Sequence, residues 1–188
     1  MPLRVVEPPA TVRQVAAGYV HQLASPLGVF PQLRNVAREE LALLAPHRIY
    51  TAGLDVLLER GVAGAVQTGW RYLVADQERI VASVELAGDA GESPLLNGGP
   101  YVASTAAAID ELERLPEVAA GDFELRLLKV PGLHVVAAWL AGRPGLVRPL
   151  SPAPGFLEAG RSYTEEEFAA AVREPARRVL AAEAPSGG

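Results

Sequence analysis

The chain has 188 residues, 49% of them apolar and 21% charged, with a formal net charge of −5. That size and balance suit a globular chain with its own core and exclude a wholly disordered or collagen-like one. The acidic balance argues against a nucleic-acid partner, and the lack of cysteine excludes thiol catalysis, zinc ribbons and disulfides.

Residues 1–9 read as a flexible tail stiffened by Pro8-Pro9. They hold no apolar signal core, and no apolar run reaches the roughly 18 residues of a membrane span. A cytoplasmic protein without a membrane partner is therefore expected. The body is expected to be a single domain over 10–180, its 10–45 part helical. Thr11 opens a helix to about Ala24, with Val12, Val15, Ala16, Tyr19, Val20 and Leu23 at helical spacing. Ser25-Pro26 and Pro31 break the chain. A second helix is expected from Leu33 to Leu44, ended by Ala45-Pro46. His47 to Thr51 suits a short strand, and Leu54 to Arg60 a helix that stops at Gly61.

The strongest strand signal begins at Gly69. Trp70, Tyr72 and Val74 alternate with Arg71, Leu73 and Ala75, Asp76-Gln77-Glu78 turns, and Ile80, Ala82 and Val84 alternate with Val81, Ser83 and Glu85. Residues 88–101, GDAGESPLLNGGPY, read as a long functional loop. Ser104 or Thr105 then caps a helix from Ala106 to Leu115. A second hairpin pairs the run from Phe123 to Leu128 with Leu133 to Leu140, through a bulged or wide loop at Pro131-Gly132. Residues 146–150 suit an edge strand, because Pro149 is tolerated there. Thr164 and Glu167 form a capping box for a last helix, and residues 181–188 are expected to be disordered. The pattern predicts an α+β fold: an antiparallel sheet of about four to six strands built from two hairpins, with four to five helices mainly on one face.

Chemistry-bearing motifs are sparse. His21, His47 and His134 are far apart in sequence, so no metal pair forms. No GxSxG, GxGxxG or GxxxxGK[ST] occurs, and Asn97-Gly98-Gly99-Pro100 is better read as a turn than as a phosphate loop. No cofactor and no metal are expected. The 17 basic residues include one lysine, Lys129, the composition of a high-GC bacterial genome. Polar residues on one side of the two hairpins, Arg71, Glu85, Glu124, Arg126 and His134, form the candidate binding set. Tyr101 and Phe156 join them as aromatics in irregular segments.

The second hairpin reads as apolar on both sides, with Leu128, Val136, Ala138 and Leu140 sharing the side of Glu124 and Arg126. A strand apolar on both faces needs cover on both. Two readings follow. The first is a non-enzymatic interaction protein or accessory subunit, contacting a protein partner or its own copy through the sheet and the 88–101 loop. The alternative is a small-molecule-binding domain, or an acid–base enzyme, with a polar pocket on the sheet.

Overall fold

The computed structural model describes residues 3–4, 6–24, 30–34 and 36–183, and their backbone is organised around one nine-stranded sheet. The strands are β1 (Leu3–Arg4), β2 (Leu41–Thr51), β3 (Val66–Asp76), β4 (Arg79–Ala87), β5 (Glu92–Asn97), β6 (Phe123–Val130), β7 (Val135–Ala141), β8 (Leu146–Pro149) and β9 (Tyr163–Thr164). Their order is β5-β4-β3-β2-β6-β7-β8-β9, and β1 also pairs with β6. Pairing is antiparallel except where β6 meets β1 and β2. The helices are α1 (Ala10–Leu23), α2 (Leu54–Arg60), α3 (Pro100–Glu113), α4 (Pro116–Ala119) and α5 (Glu165–Glu183).

The fold is thus α+β with a mostly antiparallel sheet, but the sheet is larger than four to six strands and is not made from two hairpins alone. Strands β1, β5 and β9 are additions to those expected, and β2 is the expected 47–51 strand extended at its start. Leu41 to Leu44, expected to end a helix, are strand residues of β2 paired with β3. Pro46 cannot continue a helix, and β2 accommodates it at a register shift between Leu44 and His47. Within 88–101, residues 92–97 form β5 against β4, reached by a tight turn with positive φ at Gly88 and Gly91. Pro100 then starts α3 at its first position. Ser104 and Thr105 consequently lie inside the helix. Thr105 donates to the Tyr101 carbonyl (2.6 Å), and Ser104 Oγ accepts the Ser151 N–H (2.7 Å).

The hairpins β3–β4 and β6–β7, α1, α2 and the capping box of α5 stand where the periodicity puts them. Glu167 N–H donates to Thr164 Oγ1 (3.1 Å), and Thr164 N–H to the Glu167 carboxylate (2.8 Å). Strand β8 is second from the edge, with the two-residue β9 outside it. The break at Ser25-Pro26, residues 1, 2 and 5 of the expected N-terminal tail, and 184–188 of the C-terminal one lie outside the described residues, whereas 181–183, expected to be disordered, are the last turn of α5. Leu3 and Arg4 of that N-terminal stretch pair with Phe123 and Glu124.

Helices cover both faces of the sheet. One face, here the Trp70 face, packs Trp70, Tyr72, Val74, Val84 and Leu86 against Val12, Ala16 and Val20 of α1. Its other half packs Leu128, Ala137, Trp139 and Val147 against α2 and against Phe168 and Val172 of α5. The opposite face, the Arg71 face, carries Ile49, Leu125, Leu127, Ala138 and Leu140 beneath Ala108 and Leu112 of α3. At about 25 cal/mol per Å2 of apolar surface removed from water, these three layers are the main stabilising force.

Register explains one misplacement. The β6–β7 connection is the four-residue stretch 131–134, so Val130 pairs with Val135. Even-numbered residues of β6 therefore share a face with odd-numbered residues of β7. Leu128 lies with Ala137 and Trp139, while Val136, Ala138 and Leu140 lie on the other side with Lys129, Leu127 and Leu125. No helix among the described residues is long and apolar enough to cross a membrane.

Candidate functional site

The strand pattern of β3 and β4 puts Arg71 opposite Glu85, and Leu73 opposite Ser83, on one face of the sheet. Simple alternation would leave this face to solvent. Instead α3 crosses it, and Arg71 is 2% exposed and Ser83 fully buried. Between the first turn of α3 and the sheet lies a cleft of about 270 Å3. Arg71, Glu85 and Lys129 supply its charges. Asn97, Gly98, Gly99 and Tyr101 supply polar and backbone groups, and Leu95, Val102 and Val136 an apolar wall. A second cleft of about 210 Å3, lined by Thr51, Thr68 and Ser93 among others, shares Glu85, Leu95 and Lys129 with it.

Glu85 bridges the two cations. Lys129 Nζ lies 2.5 Å from Glu85 Oε2, and Arg71 Nε lies 3.8 Å from Oε1. The second distance is too long for a hydrogen bond, and Arg71 Nε has no partner among the described residues. Burial pushes the Arg71 guanidinium below its ordinary pKa, and Glu85 acts in the opposite direction. The group stays charged, since arginine does not deprotonate in proteins. The three side chains sum to one positive charge. The amino end of α3 adds the positive pole of a helix dipole, and no side chain caps it.

His47 pairs with Arg71 across β2 and β3 and is 1% exposed. Its Nδ1 lies 2.7 Å from the Ala45 carbonyl. A carbonyl can only accept, so the proton sits on Nδ1. Burial, followed by the charge of Arg71, pushes the imidazole pKa down to about 3, so His47 is neutral. It is an interior residue of β2.

Of the sequence-predicted site residues, Arg71, Glu85 and Tyr101 meet at the cleft, where the Tyr101 hydroxyl also donates to the Pro152 carbonyl (3.0 Å). Glu124 and Arg126 lie on the opposite face, because β2 aligns Arg48 with Trp70 on one side and with Arg126 on the other. His134 is exposed, in left-handed conformation at the end of that turn (φ 53°). Phe156 is 37% exposed in the irregular segment before β9. The expected single polar set is therefore divided between the two faces and a turn.

On the Trp70 face, Glu124 is 3% exposed and accepts from Arg126 (2.7 Å), Arg48 (3.2 Å) and Arg4 (3.5 Å). Burial would raise its pKa, but the hydrogen bond and charge of Arg126, with those of Arg48, hold the carboxyl below its ordinary value. Sequence reasoning missed Lys129, Arg48 and the α3 terminus. One signal was available for the first: Lys129 is the sole lysine among 17 basic residues. Arg48 carried none, since its neighbours across the sheet depend on long-range pairing.

Among the described residues, no cluster of three or more His, Asp or Glu side chains could hold a metal ion. No protein-family model, no curated protein and no solved structure matches the chain.

Proposed function

We propose that this protein binds a small organic monoanion, a carboxylate on a short apolar body, in the cleft between the sheet and α3. The observation that carries this reading is Arg71: a guanidinium 2% exposed, with Nε unpartnered, lining a cavity. A buried charge whose counter-ion, Glu85, stands beyond hydrogen-bond reach is costly, and a ligand carboxylate would supply the missing acceptor. The excess of one positive charge fits a monoanion, and the uncapped α3 terminus adds favourable field. The apolar wall of Leu95, Val102 and Val136 suits an aliphatic or aromatic body. The cleft volume lies near the lower end of ligand pockets, about 300 Å3, so the ligand is small.

The test is an amide NMR titration with benzoate and with hexanoate. Saturable shifts at residues 97–102 that vanish in Arg71→Gln are expected. Absence of saturable shifts with both acids, or shifts unchanged in Arg71→Gln, would overturn the reading.

A second reading is contact with a protein partner or a second copy. The doubly apolar β6–β7 hairpin that suggested it has internal cover, from α3 on one face and from α2 and α5 on the other. What still favours it is β5, the outermost strand at its end of the sheet, with Leu95 55% exposed. Light scattering tests it, because a strictly monomeric protein would remove self-association.

A further inference from the structure

The Trp70 face carries a row of side chains that the cleft does not use. Across adjacent strands, register aligns Trp70 of β3, Arg48 of β2, Arg126 of β6 and Trp139 of β7. The Arg48 guanidinium lies 5.3 Å from the Trp70 ring centre, and that of Arg126 lies 4.7 Å from Trp139 and 4.5 Å from Tyr50. Both indole N–H groups are engaged elsewhere, Trp70 with Asp89 (2.9 Å) and Trp139 with Glu165 (2.7 Å). The rings are thereby held in place, and their faces serve the arginines.

We infer that Arg48 and Arg126 form a second anion site, on the face opposite the cleft, for a dianionic oxyanion such as a phosphoryl group. Charge counting is the first support. Arg4, Arg48 and Arg126 meet one buried carboxylate, Glu124. Asp122 reaches only Arg4, at 4.0 Å, and is 78% exposed. Like charges placed opposite each other on neighbouring strands are unfavourable, and Glu124 offsets one of them.

Donor counting is the second. Each guanidinium offers five N–H donors. Arg48 gives one terminal nitrogen to Glu124 and Arg126 gives another, while Nε of both is buried without a hydrogen-bond partner among the described residues. Stacking fixes the planes of the guanidiniums and leaves their edges for a planar or tetrahedral acceptor.

Access is the third. The pair stands between the half of the face packed on α1 and the half packed on α5, and Arg48 and Arg126 keep 30% and 20% side-chain exposure. A phosphate carries close to two negative charges at neutral pH and would face two guanidiniums, Arg48 and Arg126, that share the single ion-pair partner Glu124. One further carboxylate, Glu165, acts on Arg126 through its charge, but it accepts the Trp139 indole N–H and forms no ion pair with Arg48 or Arg126 among the described residues.

The chain has two tryptophans, and both flank the arginines, so intrinsic fluorescence reports on this row. The experiment titrates the full chain with inorganic phosphate and, in parallel, methyl phosphate, each against chloride at matched ionic strength. A saturable fluorescence change specific to the phosphates is expected. Tighter binding of methyl phosphate would identify an ester as the ligand class, and equal binding would identify free phosphate.

Arg126→Lys and Arg48→Lys keep the charge but lose the fork, and each is expected to weaken binding about tenfold. Glu124→Gln removes the competing carboxylate and is expected to tighten binding while lowering stability without phosphate. A purely structural network would lose stability and gain no affinity. No saturable change in the unmodified chain would overturn the inference. So would a change that survives both lysine variants and disappears in Arg71→Gln, which would place the phosphate in the cleft.

Discussion

Each face of the sheet holds one carboxylate between cations, and the two arrangements differ in what the cations rest on. On the Trp70 face, Arg48 and Arg126 lie against Trp70, Tyr50 and Trp139, and both hydrogen-bond Glu124. On the Arg71 face, Glu85 accepts from Lys129, and Arg71 stands 3.8 Å away with no ring stacked on it among the described residues. Aromatic faces and short charge-assisted bonds compensate a guanidinium for lost water. Arg71 has little of either. The contrast teaches that burial alone does not make an arginine structural. The stacked pair contributes to the fold, while Arg71 is held at a cost that a ligand in the cleft would offset.

The largest expected effect falls on the shared acceptor of the stacked pair. Glu124→Ala leaves three arginines without their carboxylate and should lower stability by about 3 kcal/mol, as removal of one partner from a buried ion pair does. Urea unfolding at neutral pH measures it. A loss below about 1 kcal/mol would equate Glu124 with an exposed surface pair and remove half of the contrast.

Next comes a difference in sign. Arg126→Met should destabilise by about 2 kcal/mol, through the lost stacking and the lost hydrogen bond to Glu124. Arg71→Met should be neutral or stabilising by about 1 kcal/mol, because an apolar chain replaces a buried, underpaired charge. Glu85 keeps Lys129 in that variant. Equal losses from both substitutions would show that Arg71 is as well compensated as Arg126.

The pH response separates the faces too. His47 sits beside Arg71 with its pKa pushed from 6.5 to about 3. Its folded value is depressed, so the unfolded chain binds the proton first as pH falls. The contribution of neutral His47 is complete above about 6.5 and is lost as pH falls toward 3, at up to about 1.4 kcal/mol per pH unit. His47→Gln should flatten the stability curve between pH 6.5 and 5. Glu124, held below its ordinary value, loses its contribution only lower, as pH falls beneath the usual carboxylate range. Denaturation midpoints across pH check both, and an unchanged slope in His47→Gln would mean that His47 is not the group that titrates.

How much of this the sequence discloses follows from which signals are local. The capping box of Thr164 and Glu167, the helix that stops at Gly61 and the alternation of β3 all rest on neighbours a few residues apart, and each is legible. The first residues of β2 were hidden because Leu41 and Leu44 fit a helical stripe as well as a strand, and only pairing with β3 decides between them. Arg71 and Glu85 could be placed together, since a short turn sets their register. Glu124 and Arg126 were put on the wrong side because the face of β6 is set by its non-local pairing with β2, where a slip of one reverses every side chain. The stacked row needs four strands in register, including the non-local β2–β6 pair, and no local pattern encodes it.

The smallest expected effect tests whether the two faces are independent. Glu165, which accepts the Trp139 indole N–H, is the first residue of α5, and Thr164 caps that helix. Thr164→Ala removes the cap and should cost about 1 kcal/mol. The loosened first turn should also shift the Trp139 indole resonance, because Glu165 moves with it. Trp70 bonds Asp89 beyond β4, at the far end of the row, and its indole should keep its position. The cleft lies on the other side of the sheet and shares no residue with the α5 cap. Amide resonances of 97–102 should therefore hold still in Thr164→Ala. If they move together with Trp139, the sheet transmits strain between its faces, and neither the stacked pair nor Arg71 can be assigned its role separately.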